Sequence, residues 1–345
     1  MMQDTHTTSH THPCISAHYI KAEAQRLGFH ACGIAPAAPV HTAHTRLYQQ
    51  FVDEGRLADM NYLANHQDKR FNPSLLMPGV RSIICVALNY LPQHPLPPHQ
   101  WQPAWYAYGD DYHDVMKQRL NALLCSLQHR MNTALGTHKA EKETTTLAGR
   151  CFCDTAPVME RYWAWRSGLG WIGHNHLLYV PGIGSACFLG EVFIDAEVDE
   201  YDSPIASPCS GCDACVRACP TRALSTEADF DARKCLSYLT IENRANELPE
   251  WAAQQMHPCF YGCNRCLEAC PHIRRAKATD VPEFRPRPIW QNRTPDDWMQ
   301  LSREDYQKAF RGSAVKRAKY EGLMRNIHAM HHVGPPHTHT SDPEK

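Results

Sequence analysis

Two cysteine-dense stretches constrain this chain more than any other feature. The first, "CSGCDACVRACP", sets Cys209, Cys212, Cys215 and Cys219 close together and follows the last with Pro220; the second, "YGCNRCLEACP", carries Cys263, Cys266 and Cys270 ahead of Pro271. Three closely spaced thiolates can hold three corners of a 4Fe-4S cubane, and a further cysteine before proline reaches across to a neighbouring cluster. Two such runs imply two clusters. Tetrahedral zinc would require neither the triple spacing nor the paired Cys-Pro endings. Such a region is organised by metal more than by a hydrophobic core, and it passes single electrons.

By that rule Cys209, Cys212 and Cys215 take Cys270 as their fourth ligand, while Cys219 joins Cys263 and Cys266. The second set still lacks one thiolate, for which Cys259 and Cys235, the latter in "KCLSYLTIE", both qualify. Nine of the sixteen cysteines fall between Cys209 and Cys270. No export signal accompanies them, so reduced metal ligands explain the number better than disulfides. The other seven, Cys14, Cys32, Cys85, Cys125, Cys151, Cys153 and Cys187, are expected as buried free thiols.

The electrons need a destination elsewhere in the 345 residues, a length that allows two or three structural units. Ile20, Ala24 and Leu27 share one helical face in "AHYIKAEAQRL", and "GFHACGIAP" then reads as a turn into a short buried strand. A second apolar strand, "SIICVALNYL", leads into the proline-rich "PQHPLPPHQWQP", expected as a surface excursion. Met116, Leu120, Leu123, Leu124 and Leu127 mark a helix to about Asn132. Beyond it come a strand, a helix from near Pro157, a glycine-punctuated turn and two more strands. This alternation predicts an α/β layered domain over about residues 15 to 200. No "GxGxxG" opens a helix after a strand and no P-loop occurs, so neither nicotinamide nor nucleotide phosphate binding is supported.

Thirty-five basic residues against 36 acidic ones give a formal charge of -1, so no global positive field announces a nucleic-acid partner. Any such partner must meet a local patch. The absence of a long apolar run, of a signal peptide and of a twin-arginine motif leads to the expectation of a cytoplasmic protein with no membrane contact. Histidine-rich stretches at both ends are expected to be disordered tails more than metal tracts.

"CDTAPVMERYWAWRSGLGWIGHN", then "GSACFLGEVF", the first cysteine run, "CLSYLTIE" and the second run resemble, in this order, the epoxyqueuosine reductase family. "DKRFNPSLLMPGVRSII", "YGDDYH" and "FRGSAVKRAKYEGLMRNIHAM" extend the similarity from about Ala17 to Met330. The resemblance implies an α/β (α+β) cobalamin-binding domain, a ferredoxin-like module with two 4Fe-4S clusters, and a helical C-terminal segment. Expected limits are 1–16 for a disordered tail, 17–200 for the cobalamin domain, 201–280 for the clusters, 281–330 for the helical segment and 331–345 for a second tail. It also implies a monomeric enzyme that reduces the epoxide of epoxyqueuosine, at the wobble position of tRNA, to queuosine. Two electrons and two protons are consumed, and the oxygen leaves as water.

Carried over residue by residue, the resemblance makes Asp154 of "DTAP" the proton donor and a cofactor neighbour. The flanking "CFC" and "APV" are apolar and should raise its pKa, as an acid that protonates an epoxide requires. It places Cys235 with Cys219, Cys263 and Cys266, leaving Cys259 spare. Cobalamin contacts fall on Arg70, Tyr112, His113, Asn175 and Ser237, while Gly168, Gly170 and Gly173 shape a tight turn. His174 and Asn72 depart from the family's usual lysine and aspartate. The helical-repeat extension of some relatives is not expected. Contacts to tRNA are then expected from Arg274, Arg275 and Lys277 and from the basic stretch Arg311 to Arg325; Trp163, Trp165 and Trp171 are expected as packing. Reduced flavodoxin or ferredoxin is the expected electron donor. Two rivals share the clusters: a reductive dehalogenase-like corrinoid protein, and an electron-transfer module without a substrate of its own.

Overall fold

A computed structural model describes residues 14–134, 147–227 and 229–334. Its centre is a sheet of four strands, β1 (Ala31–Pro36), β2 (Ser82–Asn89), β3 (Gly149–Phe152) and β4 (Cys187–Ile194), in the order β1-β2-β4-β3. All three pairings are antiparallel. The alternation of helices and strands therefore builds an α+β sheet, since its long connections return each strand against its neighbour instead of forming parallel crossovers. β2 and β4 pair over their whole lengths, from Ser82 opposite Ile194 to Asn89 opposite Cys187.

Period-two alternation sends the two faces of this sheet into different cores. Ile84, Val86, Leu88, Val192 and Ile194 meet α1 (Ala17–Arg26) and α2 (Tyr112–Ala134) through Ile20, Ala24, Leu120, Leu123 and Leu127. Ile83, Cys85, Ala87, Phe152 and Phe193 face α3 (Glu160–Arg166), which contributes Tyr162, Trp163 and Ala164. Trp163 and Trp171 are buried as packing residues. The turn after α3 depends on glycine: Gly168 has φ +68°, and a Cβ on Gly170 would lie 1.9 Å from the Tyr179 carbonyl oxygen.

The cysteine-rich region has helices of only four to six residues, such as Ala214–Arg217, Leu236–Ile241 and Arg265–Glu268. It packs on a third core built by Phe260, Tyr261, Trp290, Trp298, Phe310 and Ile327, much of it from the C-terminal segment and its last helix α4 (Lys319–Val333). Asn326 of α4 donates to the Thr240 and Phe260 carbonyls at 2.7 and 3.0 Å.

Several expectations change. The proline-rich excursion is anchored at its end: Trp101 is buried and Gln102–Pro103 pairs with Cys259–Tyr261, because the cysteine region supplies a strand partner far away in sequence. Cys14 and Cys125 are exposed, while Cys85 and Cys153 are buried as expected. Cys14–Ile15 already forms a strand with Glu197–Val198, and α4 continues to Val333, so ordered elements overrun the tail limits of 16 and 331. The remainder of both tails, 1–13 and 335–345, lies outside the described residues. Among the described residues no helix is long and apolar enough to cross a membrane.

Candidate functional site

Asp154 lies two residues past the end of β3, with φ +56°, a left-handed backbone that is uncommon for a residue bearing a Cβ. Glu160, first in α3, accepts the Asp154 backbone N–H and holds this turn. The carboxylate of Asp154 is 56% exposed, lies 3.4 Å from His113 Nε2 and accepts a hydrogen bond from the Tyr112 hydroxyl. Tyr112 and His113 open α2, and Asp111 just before it lies 2.7 Å from His113 Nδ1. Tyr112 is fixed by stacking on Phe188 of β4, with ring centroids 4.2 Å apart and planes 3° from parallel. Two separate segments thus converge on Asp154, the start of α2 on its carboxylate and α3 on its backbone.

Their charges reverse one expectation. The His113 hydrogen bond, working against desolvation and helped by Tyr112 and the Arg317 charge, holds Asp154 below the usual carboxylate range. The apolar residues beside Asp154 in sequence are outweighed by polar ones that α2 brings up in space. Burial alone would lower His113, yet its bonds to Asp111 and Asp154 carry it up to about 9. The resting pair is a carboxylate beside an imidazolium, with the proton held on the histidine. Burial first, and then the Asp154 charge, lift Glu160 to about 7.

Around the mouth of this site stand Tyr62 and Glu242, which the sequence reading passed over, with Arg317 of the basic stretch and the expected Arg70. Arg317 makes a two-bond pair with Glu242, both bonds 2.8 Å, and lies 5.8 Å from the ring centre of Tyr62, itself 49% exposed. Arg70 is buried; its terminal nitrogens lie 3.4 Å from the Val158 and Tyr62 carbonyl oxygens, and its Nε has no hydrogen-bond partner. A lone acid in the apolar run "CFLGEVFI" could have drawn attention to Glu191, but no local pattern joins Glu242 to Arg317.

The cysteines gather as two adjoining groups. Cys209, Cys212, Cys215 and Cys270 line one cavity of about 260 Å³ together with Trp171, His174 and Asn175. Burial and then the neighbouring Cys235 and Cys219 raise the Cys263 thiol to about 11, the Arg265 amide opposing them. Cys266 is raised by burial and by Cys263, Cys235, Cys219 and Cys215, which places it between both groups. The Ser237 and Tyr238 amides face the Cys235 sulfur, and the Ala223 N–H donates to Cys219 Sγ at 3.2 Å. Amides aimed at sulfur suit thiolates that carry negative charge into a cluster. Cys259 behaves differently, since its thiol donates to the Tyr261 and Gly262 carbonyls at 3.2 and 3.4 Å.

The residues expected around the cofactor therefore divide. Tyr112 and His113 surround Asp154, and Arg70 reaches the Val158 carbonyl in the same loop. Asn175 sits at the first cysteine group, with Nδ2 3.4 Å from the Cys266 carbonyl oxygen, and Ser237 lies beside Cys235. The two departures have local partners: His174 Nδ1 is 2.9 Å from the Cys212 carbonyl oxygen, and Asn72 caps a turn by accepting from Ser74 N at 3.1 Å.

Taken together, an acid cluster on an α+β sheet and two adjoining thiol groups define an iron-sulfur redox protein. Residues 208–272 match the 4Fe-4S double cluster binding domain, and residues 70–155 match the family described as epoxyqueuosine reductase QueG, DUF1730. The epoxyqueuosine reductase of Cellulophaga algicola is 38% identical over 308 residues, covering 89% of this chain and 95% of its own. That of Leadbetterella byssophila is 37% identical over 308 residues, covering 89% and 96%. A crystal structure of epoxyqueuosine reductase with an epoxyqueuosine-modified tRNA-Tyr stem loop superposes with TM-score 0.79 at 23% identity, over 92% of this chain and 80% of that one. The chain belongs to the epoxyqueuosine reductase family, and it is an oxidoreductase of tRNA modification.

Proposed function

We propose that this chain reduces the epoxide of epoxyqueuosine in the wobble position of tRNA, giving queuosine and water in the last step of queuosine synthesis, with Asp154 delivering protons to the departing oxygen. The observation that carries this reading is the convergence of Tyr112, His113 and Glu160 on Asp154 in a chain that also bears a double-cluster domain. Cys209, Cys212, Cys215 and Cys270 hold one cluster, and Cys219, Cys235, Cys263 and Cys266 the other. Cys259 stays a thiol because two carbonyls already take its hydrogen. A reduced flavodoxin or ferredoxin-type carrier supplies the electrons, and the protein works as a cytoplasmic monomer.

Cobalamin is the second cofactor in this reading. The buried Arg70 Nε without an acceptor suits one of its peripheral amide oxygens. Arg70, Tyr112, His113, Asn175, Ser237 and Asp154 would hold it, and it supplies a low-valent cobalt able to pass electrons to a carbon of the epoxide. The protein's own groups do the acid chemistry. His113 keeps a proton 3.4 Å from Asp154 Oδ2, Tyr112 orients that carboxylate, and Glu160 fixes the backbone that presents it.

The tRNA lies across a basic face. Arg274, Arg275, Lys277, Arg311 and Lys316 are exposed. A surface cavity of about 660 Å³ adds Arg287, Arg293 and Lys308 around Arg311. Arg287 pairs with Asp110 at 2.7 Å, which ties that cavity to the segment bearing Tyr112 and His113. Arg325 is withdrawn from the tRNA set because it serves the Leu239, Asn243 and Ala245 carbonyls. The single-stranded anticodon loop can splay its wobble base into the Asp154 pocket.

The test is conversion: protein with both clusters and cobalamin verified, a low-potential reductant and epoxyqueuosine-containing tRNA, followed by digestion and mass spectrometry. Queuosine is expected, and its absence would overturn the assignment. Queuosine formation also separates this enzyme from a dehalogenase or a simple electron carrier.

A further inference from the structure

One carboxylate beside the acid site has been given no chemistry so far. Asp111 immediately precedes α2, and its Oδ1 accepts two hydrogen bonds from a single residue: from the His113 backbone N–H at 3.1 Å and from the His113 ring nitrogen Nδ1 at 2.7 Å. An ionised carboxylate only accepts, so Nδ1 carries a proton in that contact. Burial alone would raise Asp111, yet the bonds from the His113 ring and amide hold it below the usual carboxylate range. The other edge of the same ring presents Nε2 to Asp154 at 3.4 Å. Asp111, His113 and Asp154 thus stand in a row, with the imidazole between two carboxylates.

Stacking fixes the plane of that imidazole without choosing which edge faces Asp154. Tyr112 stacks on Phe188, with centroids 4.2 Å apart, and on His113, with centroids 4.0 Å apart and planes 28° from parallel. Half a turn of the His113 ring about its Cβ–Cγ bond would keep this stack and exchange Nε2 for Cε1. A carbon turned to Asp154 cannot hand it a proton. The Nδ1 bond to Asp111 separates the two orientations, and it leaves Nε2 as the nitrogen that gains and loses a proton.

Asp111 is itself held from the C-terminal segment. Its N–H donates to the Gly312 carbonyl at 2.9 Å, the Asp110 N–H donates to the Glu283 carbonyl at 2.7 Å, and the Asp110 carboxylate pairs with Arg287 at 2.7 Å. The same residue also caps α2, since its carbonyl accepts from the Asp114 and Val115 amides at 3.1 and 3.3 Å and its side chain from the His113 amide. A cap needs only a short acceptor, which asparagine or serine supplies about as well as aspartate. The contact with Nδ1 lies outside that need, so the two roles can be separated by substitution.

We infer that Asp111 is a positioning residue of the acid site, which holds the His113 imidazole with Nδ1–H on its own Oδ1 and Nε2 turned to Asp154. The inference rests on the proposed reaction, in which Asp154 protonates the departing oxygen. The proton on Nε2 passes to the Asp154 carboxylate and from there to the oxygen, Nδ1 keeps its proton throughout, and Nε2 is reprotonated from solvent. Asp111 gives up no proton and touches no reacting atom. The groups that face the imidazole are Asp111 and the stacked Tyr112 from its own segment, Asp154 with Glu160 behind it from the turn into α3, and Arg287 acting through Asp111 from the C-terminal segment. Removing the Asp111 charge removes one of the two carboxylates that carry His113 up to about 9.

The test uses Asp111→Asn and Asp111→Ser, both of which keep the cap: asparagine retains an uncharged acceptor for Nδ1, and serine is too short to reach it. The first readout, independent of turnover, is melting temperature against pH in the cluster-loaded protein. The stabilisation from His113 is complete below about 6.5 and is lost as pH rises through about 9; in Asp111→Asn that loss should come about one pH unit lower. The second is single-turnover queuosine formation. Its rate should fall in the wild type as pH rises through about 9, Asp111→Asn should move that limb down with the melting window, and Asp111→Ser should lose about ten-fold or more at pH 7 with the half-saturating tRNA concentration unchanged. An unmoved window in Asp111→Asn, or a full rate in Asp111→Ser, overturns the inference and leaves Asp111 as a helix cap; if Asp111→Ser fails to fold, Asp111→Asn decides alone. Should the wild type make no queuosine, the reaction assignment fails, and the melting window still decides whether Asp111 holds the His113 ring.

Discussion

The sheet region and the cysteine region are held together by different physics. Strand β2 is buried along all eight residues and pairs with β4 throughout, so burial of apolar area and a complete ladder define its shape without help from a cofactor. The cysteine region has helices of four to six residues, below the length at which a helix persists alone, and it leans on the C-terminal segment for its core. Cluster binding is then part of its folding free energy. An acid that must sit within hydrogen-bond reach of a substrate gains from the rigid frame. An electron relay needs only to keep its sulfurs on the metal.

That contrast can be broken most sharply at Asp154. Asp154→Asn should lower single-turnover queuosine formation by about 10²- to 10⁴-fold while leaving iron content and thermal stability near those of the wild type. Near-normal turnover would remove the acid chemistry from the sheet side. The complementary change is Cys235→Ala, which should lose about half of the iron and the matching visible absorbance, whereas Cys259→Ala should keep both. Equal iron loss in the two variants would mean that the fourth ligand is misassigned.

Smaller effects sharpen the boundary between the regions. Arg325→Ala deprives the Leu239, Asn243 and Ala245 carbonyls of a charged donor, and should cost about 1.5–3 kcal/mol in denaturant unfolding of the loaded protein. Arg311→Ala should leave stability unchanged, weaken tRNA binding and reduce the dependence of log affinity on log salt by about one ion. An unchanged salt slope would remove Arg311 from the RNA face. His113 supplies the slightest effect. Its pKa rises from 6.5 to about 9 on folding, so its stabilisation is complete below about 6.5 and disappears as pH rises through about 9. Melting temperature should decline across that window, and His113→Gln should flatten the decline.

Legibility differed between the two regions for the same reason. The proposed cluster ligands lie three or four residues apart, so Cys209, Cys212 and Cys215 announce themselves in a short string. Choosing Cys235 over Cys259 required more, and the donation of the Cys259 thiol to Tyr261 and Gly262 now favours that choice independently. On the sheet side, Asp154 was legible as a residue but not as an acid. Its apolar neighbours in sequence pointed to a raised pKa, whereas Tyr112 and His113, some forty positions earlier, hold it down. Arg325 likewise read as one charge in a basic run until its carbonyl partners were seen.

Sequence alone determined the two-cluster domain and the family, and singled out the carboxylate proposed as the proton donor, because metal-ligand spacing and short motifs are local properties. Only the tertiary structure decided the protonation of that carboxylate, the antiparallel course of the sheet and the burial of Glu191 in the middle of β4. Each depends on which distant segment packs beside which, and electrostatic interactions act through space without regard to separation along the chain.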